Sequence, residues 1–183
     1  MKIVALVKYV PDATGGDREF SDDGTVDREV AGLLSELDEY AVEQALQIAE
    51  NADDAEVIAV TVGPPDDASD ALKKALQMGA GSAVHINDDD IHGTDALGTS
   101  KILAAAVQKI EPDLVICGMA STDGSMGVVP AMLAERLGWP AVTYGVDLKV
   151  EGVGGLDPPR RRHRLADHLR PTAGGGLGHR PVR

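Results

Sequence analysis

Aromatic residues are scarce in this chain: one Trp, one Phe and three Tyr, 3% of the total. Its core must therefore be built from Val, Ile, Leu, Ala and Met. Cysteine is scarcer still. The single Cys117 excludes an internal disulfide, and its place in an apolar run favours a core thiol over a nucleophile. Both features fit a reducing, cytoplasmic setting. No run approaches the ~18 apolar residues of a transmembrane helix. The apolar run after Lys2 is too short for a signal sequence and lacks a small-residue cleavage site. His85 and His92 have no Cys or second His at ligand spacing. Asn87-Asp-Asp-Asp90 lacks the intervals of a calcium loop and reads as a solvated turn, so no metal site is expected. Positive charge is also short, with 17 Lys and Arg against 30 Asp and Glu and a net charge of −13. That argues against nucleic acid and anionic membrane as partners, since both require cations to neutralise phosphate. Two nucleotide signatures are missing as well. No Gly-x-Gly-x-x-Gly follows the first strand, and no lysine follows the later glycines as in a P-loop.

What is present is a regular alternation. Apolar runs at Lys2–Lys8, Glu56–Val62, Ala83–Ile86, Leu114–Cys117 and Ala141–Thr143 read as strands buried on both faces. Val146, Leu148 and Val150 alternate with polar residues and suggest one more. Between the strands lie helical periodicities: Ser35 to Ile48, with Ser35 and Asp38 spaced as in a capping box, Asp66 to Met78 ended by Gly79, and a helix capped by Thr94 or Asp95 and running to Ile110. The stretch 12–34 is a long polar loop whose Asp23-Gly24 is a hairpin signal. The order predicts an α/β fold, a three-layer Rossmann-like parallel sheet with helices on both faces. Ligands in such sheets sit beyond the carboxyl ends of the strands, where strand order reverses. The turns at Lys8–Ala13, Thr61–Pro65 and Gly118–Ser125 are then the ones at that edge.

The last of these turns is the most informative. After the strand Leu114–Cys117 come Gly118 and a run of small and polar residues from Ala120 to Ser125. Helical apolar spacing resumes at Met126, Val129, Met132, Leu133 and Leu137. A helix N-terminus offers unpaired N–H groups and partial positive charge, and small residues let a phosphate approach it. The stretch reads either as the phosphate site of a nucleotide or as an ordinary turn capped by Ser121, Thr122, Asp123 or Ser125.

Six segments also resemble one family in order and in register: residues 2–12, 37–46, 57–64, 75–80, 118–127 and 137–140. They are similar to the beta subunit of electron transfer flavoprotein. The resemblance implies an adenine-nucleotide-binding variant of the fold and a non-enzymatic electron carrier. That carrier pairs with an alpha subunit, which holds most of one FAD. It takes electrons from acyl-CoA dehydrogenases, as in fatty acid oxidation, and from other dehydrogenases, and passes them to a quinone oxidoreductase of the respiratory chain. The resemblance also implies a structural AMP in this subunit. Its contacts would fall at Leu6, at Ser35, Glu36, Leu37 and Asp38, at Val62, and along Met119, Ala120, Ser121, Thr122, Asp123, Gly124, Ser125, Met126, Gly127, Val128 and Val129. Flavin-bifurcating relatives hold a second FAD in place of AMP. Ala13 stands where some members place an aromatic beside the flavin. Two other readings compete. A stand-alone nucleotide module of the universal-stress type lacks its usual glycine pattern here, and an adenine-nucleotide hydrolase or ligase lacks its phosphate-directed loop.

The resemblance stops near residue 151, which divides a body, 1–151, from a tail, 152–183. The body carries −18 and the tail +5. The tail holds seven Gly, four Pro and seven Arg but no Lys, Glu or Ile, too little apolar surface to offset its ordering entropy. It is expected to be disordered and to add no strand. The Asn-Glu-Pro-Arg-Tyr segment and the lysine-rich arm of the family are absent. A natural basic tail is one origin. A reading-frame shift after about Glu151 in a GC-rich gene accounts better for its dominance by Arg, Gly and Pro. A bulky side chain at Gly124 is expected to expel the nucleotide.

Overall fold

The computed structural model describes residues 1–12, 19–28, 30–145, 148 and 150, and the backbone of 164–168. Its elements follow the expected alternation. They are β1 (Lys2–Leu6), β2 (Tyr9–Pro11), β3 (Gly32–Leu34), α1 (Glu36–Glu50), β4 (Glu56–Val62), α2 (Pro65–Met78), β5 (Ser82–Ile86), α3 (Ala96–Ile110), β6 (Leu114–Gly118), α4 (Val129–Leu137), β7 (Ala141–Gly145) and β8 (Arg164–His168). Of the strand predicted around Val146, Leu148 and Val150, residues 146, 147 and 149 lie outside the described residues. Ala13 lies outside them too.

Six strands form one parallel sheet in the order β5-β4-β1-β6-β8-β7. Each central strand sends alternate side chains to opposite faces, as a period of two requires. On one face Ile3 and Ala5 of β1, Val7 just beyond it, Val57 and Ala59 of β4, and Leu114 and Ile116 of β6 meet Ala41, Val42 and Ala45 of α1 and Ala71 and Ala75 of α2. On the other face Val4, Leu6, Ile58, Val60, Val115 and Cys117 meet Leu103 and Val107 of α3 and Leu133 of α4. The result is the predicted three-layer arrangement. Its helices close on the sheet through small residues, chiefly Ala, because no large aromatic fills the gap. Cys117 is a buried, free thiol within this core.

Strand order reverses between β1 and β6. From β1 the chain steps outward through β4 to β5 with α1 and α2 on one face, then returns over the other face through α3 to β6. Right-handed crossovers force this change of face. Leu148 and Val150 pack against the α1-side core, and the Gln44 amide donates to the Leu148 carbonyl at 3.4 Å.

The long loop carries the hairpin its Asp23-Gly24 signal suggested, bridged from Phe20 to Val26, and on either side of it β2 and β3 pair antiparallel, Tyr9 opposite Leu34. One expectation is corrected: the segment after residue 151 does contribute a strand, since β8 lies in the sheet between β6 and β7. Composition averaged over 32 residues concealed an interval, Arg160–Arg170, that contains neither Gly nor Pro. The outer edge of β6 presents unpaired N–H and C=O groups, and an extended segment without proline can pair with them. The remainder of the tail lies outside the described residues.

Because Ala166 pairs with Ile116 on one side and Val142 on the other, proline there would break the centre of a two-sided ladder. Ala166→Pro is expected to destabilise the fold by about 3 kcal/mol, read as a lower midpoint in urea. An unchanged midpoint would remove β8 from the sheet.

Candidate functional site

The carboxyl ends of β1 and β6 diverge at the point of reversal, and three segments converge there: Lys8 after β1, the start of α1, and the turn from Gly118 to Val128. Asp38 is the first link between them. It sits in the first turn of α1, 7% exposed, and its Oδ2 accepts the Lys8 N–H at 2.9 Å. It also accepts the backbone N–H of Gly118. Removal from water raises its pKa to about 7, in spite of these two N–H donors and the Lys8 charge. The spacing Ser35–Asp38 is therefore not a capping box. Ser35 occupies the N-cap position of α1 without a side-chain cap, its N–H donates to the Lys8 carbonyl, and Asp38 is turned toward the strand ends instead.

Gly118 is demanded by this arrangement. A Cβ there would collide with the Asp38 carboxylate and lie 3.0 Å from the Leu37 carbonyl. Gly124, by contrast, has room: a Cβ would meet only Ser121 Oγ at 3.8 Å. Within the protein itself the steric demand falls on Gly118.

Asp123 is the second link. Its side chain is 1% exposed, with Lys8 Nζ at 2.8 Å and Arg28 Nη2 at 2.6 Å from Oδ2. Lys8 Nζ also donates to Oδ1 at 3.0 Å, as does the Gly124 N–H at 2.7 Å. Burial opposes its ionisation, but Lys8, the Ser121 hydroxyl and Arg28 hold its pKa well below the usual carboxylate range. Two cations on one carboxylate leave a net positive charge in an acidic protein. Arg28 further donates to the Tyr9 carbonyl at 3.2 Å.

The turn itself is wound tightly. Ser125 and Gly127 have positive φ, 55° and 62°, and the Ser125 N–H donates to the Ser121 carbonyl at 3.0 Å. The helix α4 begins at Val129 with Val128 as N-cap and no side-chain cap. None of Ser121, Thr122, Asp123 and Ser125 caps it, so the ordinary capped turn is not what forms. Met126 is 67% exposed and stands in the turn rather than on the helix's buried face.

The predicted site residues thus divide. Asp38, Met119, Ala120, Ser121, Asp123, Gly124 and Gly127 are brought together around Gly118 and Lys8. Ser35 is adjacent and fully buried, and its Oγ has no partner among the described residues. Leu6 and Val62 direct their side chains into the α3/α4 layer, which leaves only their backbones for the crevice. Glu36 stands exposed on the first turn of α1, where its charge suits the helix N-terminus. Lys8 and Arg28 were not singled out from sequence. Their signal is slight: a lysine just past a strand end, and an arginine in a loop otherwise rich in acids. Among the described residues no cluster of His, Cys, Asp and Glu could hold a metal ion, and no helix is long and apolar enough to cross a membrane.

Fold and site define a doubly wound α/β protein with a cluster of polar side chains at its switch point. Comparison with known proteins sharpens this. Residues 23–157 match the electron transfer flavoprotein domain, and the chain belongs to that family. It is 48% identical over 157 residues to the electron transfer flavoprotein subunit beta of Mycobacterium leprae and to that of Mycobacterium tuberculosis, with 82% of this chain and 58% of each relative covered. It is 39% identical over 153 residues to the caffeyl-CoA reductase-Etf complex subunit CarD of Acetobacterium woodii, covering 82% and 58%. The chain thus spans under two thirds of the length of these relatives. Among solved structures, a universal stress protein family protein from Arabidopsis thaliana with AMP bound superposes with a TM-score of 0.45 at 15% identity, covering 92% of each chain, a likeness too loose to carry any argument. The family match ends at residue 157, ahead of β8.

Two outcomes follow from this geometry. Asp38 binds more protons folded than unfolded between its ordinary pKa of 3.8 and about 7. Its contribution is therefore full at low pH and lost as pH rises through 7, with a slope of at most about 1.4 kcal/mol per pH unit. Asp38→Asn should remove that part of the pH dependence in urea titrations at pH 5 and pH 8. An unchanged slope would mean the carboxylate is ionised throughout. Gly118→Ala should cost about 1–3 kcal/mol through overpacking, measured by the same titration, whereas Gly124→Ala should cost little.

Proposed function

We propose that the chain is the beta-type subunit of a heterodimeric electron transfer flavoprotein and holds a structural AMP in the carboxyl-edge crevice. On this reading a separate alpha subunit contributes most of the binding site for FAD, the group that carries the electrons. The pair accepts electrons from acyl-CoA and other dehydrogenases and delivers them to a quinone oxidoreductase. Family membership and the relatives' subunit names support the electron-carrier role.

The observation that carries the nucleotide reading is the meeting of small residues, buried polar groups and two cations at the switch point. The fit is chemical. Ser35 Oγ is buried without a protein partner, and such groups in folded proteins are ordinarily satisfied. Lys8 and Arg28, 42% and 30% exposed and held by Asp123, can face a phosphate. The turn before α4 adds a helix N-terminus. AMP so held would bind and stiffen the crevice. The chain's own residues would orient the nucleotide and exclude water, with no group assigned to make or break a bond.

The test is the content of the purified protein. About one AMP per chain should appear in the supernatant after denaturation, and added AMP should raise the melting temperature, since a ligand that binds the native state stabilises it. Flavin absorbance and electron uptake from a dehydrogenase should require an added alpha subunit. A well-folded preparation without any adenine would refute the nucleotide site, and redox turnover by the chain alone would refute the carrier role.

A further inference from the structure

The hairpin Glu19–Arg28 is ordered within itself. The Ser21 N–H donates to the Thr25 carbonyl at 2.8 Å, the Gly24 N–H to Ser21 at 2.8 Å, and the Asp27 N–H to Glu19 at 3.0 Å. Asp23 Oδ1 accepts both the N–H and the hydroxyl of Thr25, at 2.9 and 2.7 Å. It can therefore move as one body. It is not embedded in the core: residues 19–24 are exposed, Phe20 by 73%. What fixes it to the body is polar. At its base Arg28 meets buried Asp123 and the Tyr9 carbonyl. At its tip Asp23 Oδ2 lies 3.0 Å from His92 Nε2.

The two anchor points belong to different ends of the carboxyl edge. Asp123 follows β6 and His92 follows β5, while β1 and β4 lie between them. Three strand spacings amount to about 14 Å, a distance that a ten-residue hairpin can span. A hairpin anchored at both points runs along this edge of the sheet. The anchors differ in strength. Asp23 and His92 are 50% and 75% exposed, and pairs so exposed contribute little. The Arg28 bond ends on a carboxylate that is 1% exposed, and its loss would leave a buried charge short of a partner.

We propose that this hairpin is a strap closed over the crevice, with Arg28 as the positioning residue that latches it on Asp123, so that a bound nucleotide leaves when the latch opens. The strap's role in release rests on the nucleotide reading of the crevice. The latch itself does not, and the experiment separates the two. Hydrogen exchange of the Thr25 and Asp27 amides, measured without ligand, reports the strap. Displacement of labelled AMP by excess unlabelled AMP reports release. In Arg28→Gln both rates should rise about tenfold, in keeping with the loss of one hydrogen bond between charged groups. Arg28→Lys should recover most of the slow exchange, which a variant that merely unfolds would not. His92→Gln should change either rate by less than about threefold. If Arg28→Gln leaves the hairpin amides as protected as in the native chain, the latch is refuted. Fast amides in Arg28→Gln beside a native chain that binds no AMP would support the latch and refute the nucleotide reading. Fast amides with unchanged AMP release would refute the strap's role in release.

Discussion

Backbone hydrogen bonding alone does not hold two parallel strands together past their last ladder bond, and at a switch point no crossover joins them directly. Here the carboxylate of Asp38 supplies the missing tie. It takes one N–H from Lys8, just beyond β1, and one from Gly118, at the end of β6. Much else at this edge is conditional on that tie. Gly118 must lack a side chain so that the start of α1 can approach. The backbone of Lys8 is fixed, so its side chain reaches Asp123. Asp123 in turn receives Arg28 and with it the hairpin.

The two carboxylates are treated in opposite ways by their surroundings. Asp38 faces backbone donors in a dry position, and its pKa rises. Asp123 is shielded to a similar degree but meets two cations and a hydroxyl, and its pKa falls. The difference follows from composition. In a body of net charge −18, cations are too few to pair with every acid, and two of them are committed to a single residue.

Much of the fold was legible because it rests on periodicity. The alternation along β1, β4 and β6 and the alanine-rich faces of α1 and α2 are written in the order of residue types. The right-handed crossover rule then leaves few arrangements. The turn Gly118–Gly127 stood out as a candidate site for the same local reason: small residues between a strand and a helix. What escaped was non-local. Asp38 looked like the fourth residue of a capping box, because spacing cannot show that a strand end 30 residues away competes for the carboxylate. Arg28 looked like one more charge in a loop. Met126 continued the helical apolar spacing by chance of position. β8 was hidden by averaging, since a ladder needs only extended backbone and asks little of side chains. The steric demand at Gly118 also escaped, because the neighbour that imposes it comes from α1.

The position of β8 also bears on how the chain assembles. β7 is synthesised before β8 yet, among the described residues, pairs only with it. As the polypeptide leaves the ribosome, β1, β4, β5 and β6 with their helices can close into a sheet at once, while β7 emerges with nothing to pair with. It must wait until residues 164–168 are available, and at about 5–20 residues per second that wait lasts on the order of seconds. During it the edge of β6 stays open, and closing it requires a late, long-range insertion of one strand between two others. This is the kind of step that slows folding and exposes strand edges to chance partners. The amino-terminal part of the sheet is thus the part that can form early, and the strands beyond β6 are the part whose yield depends on what happens after synthesis of the body is complete.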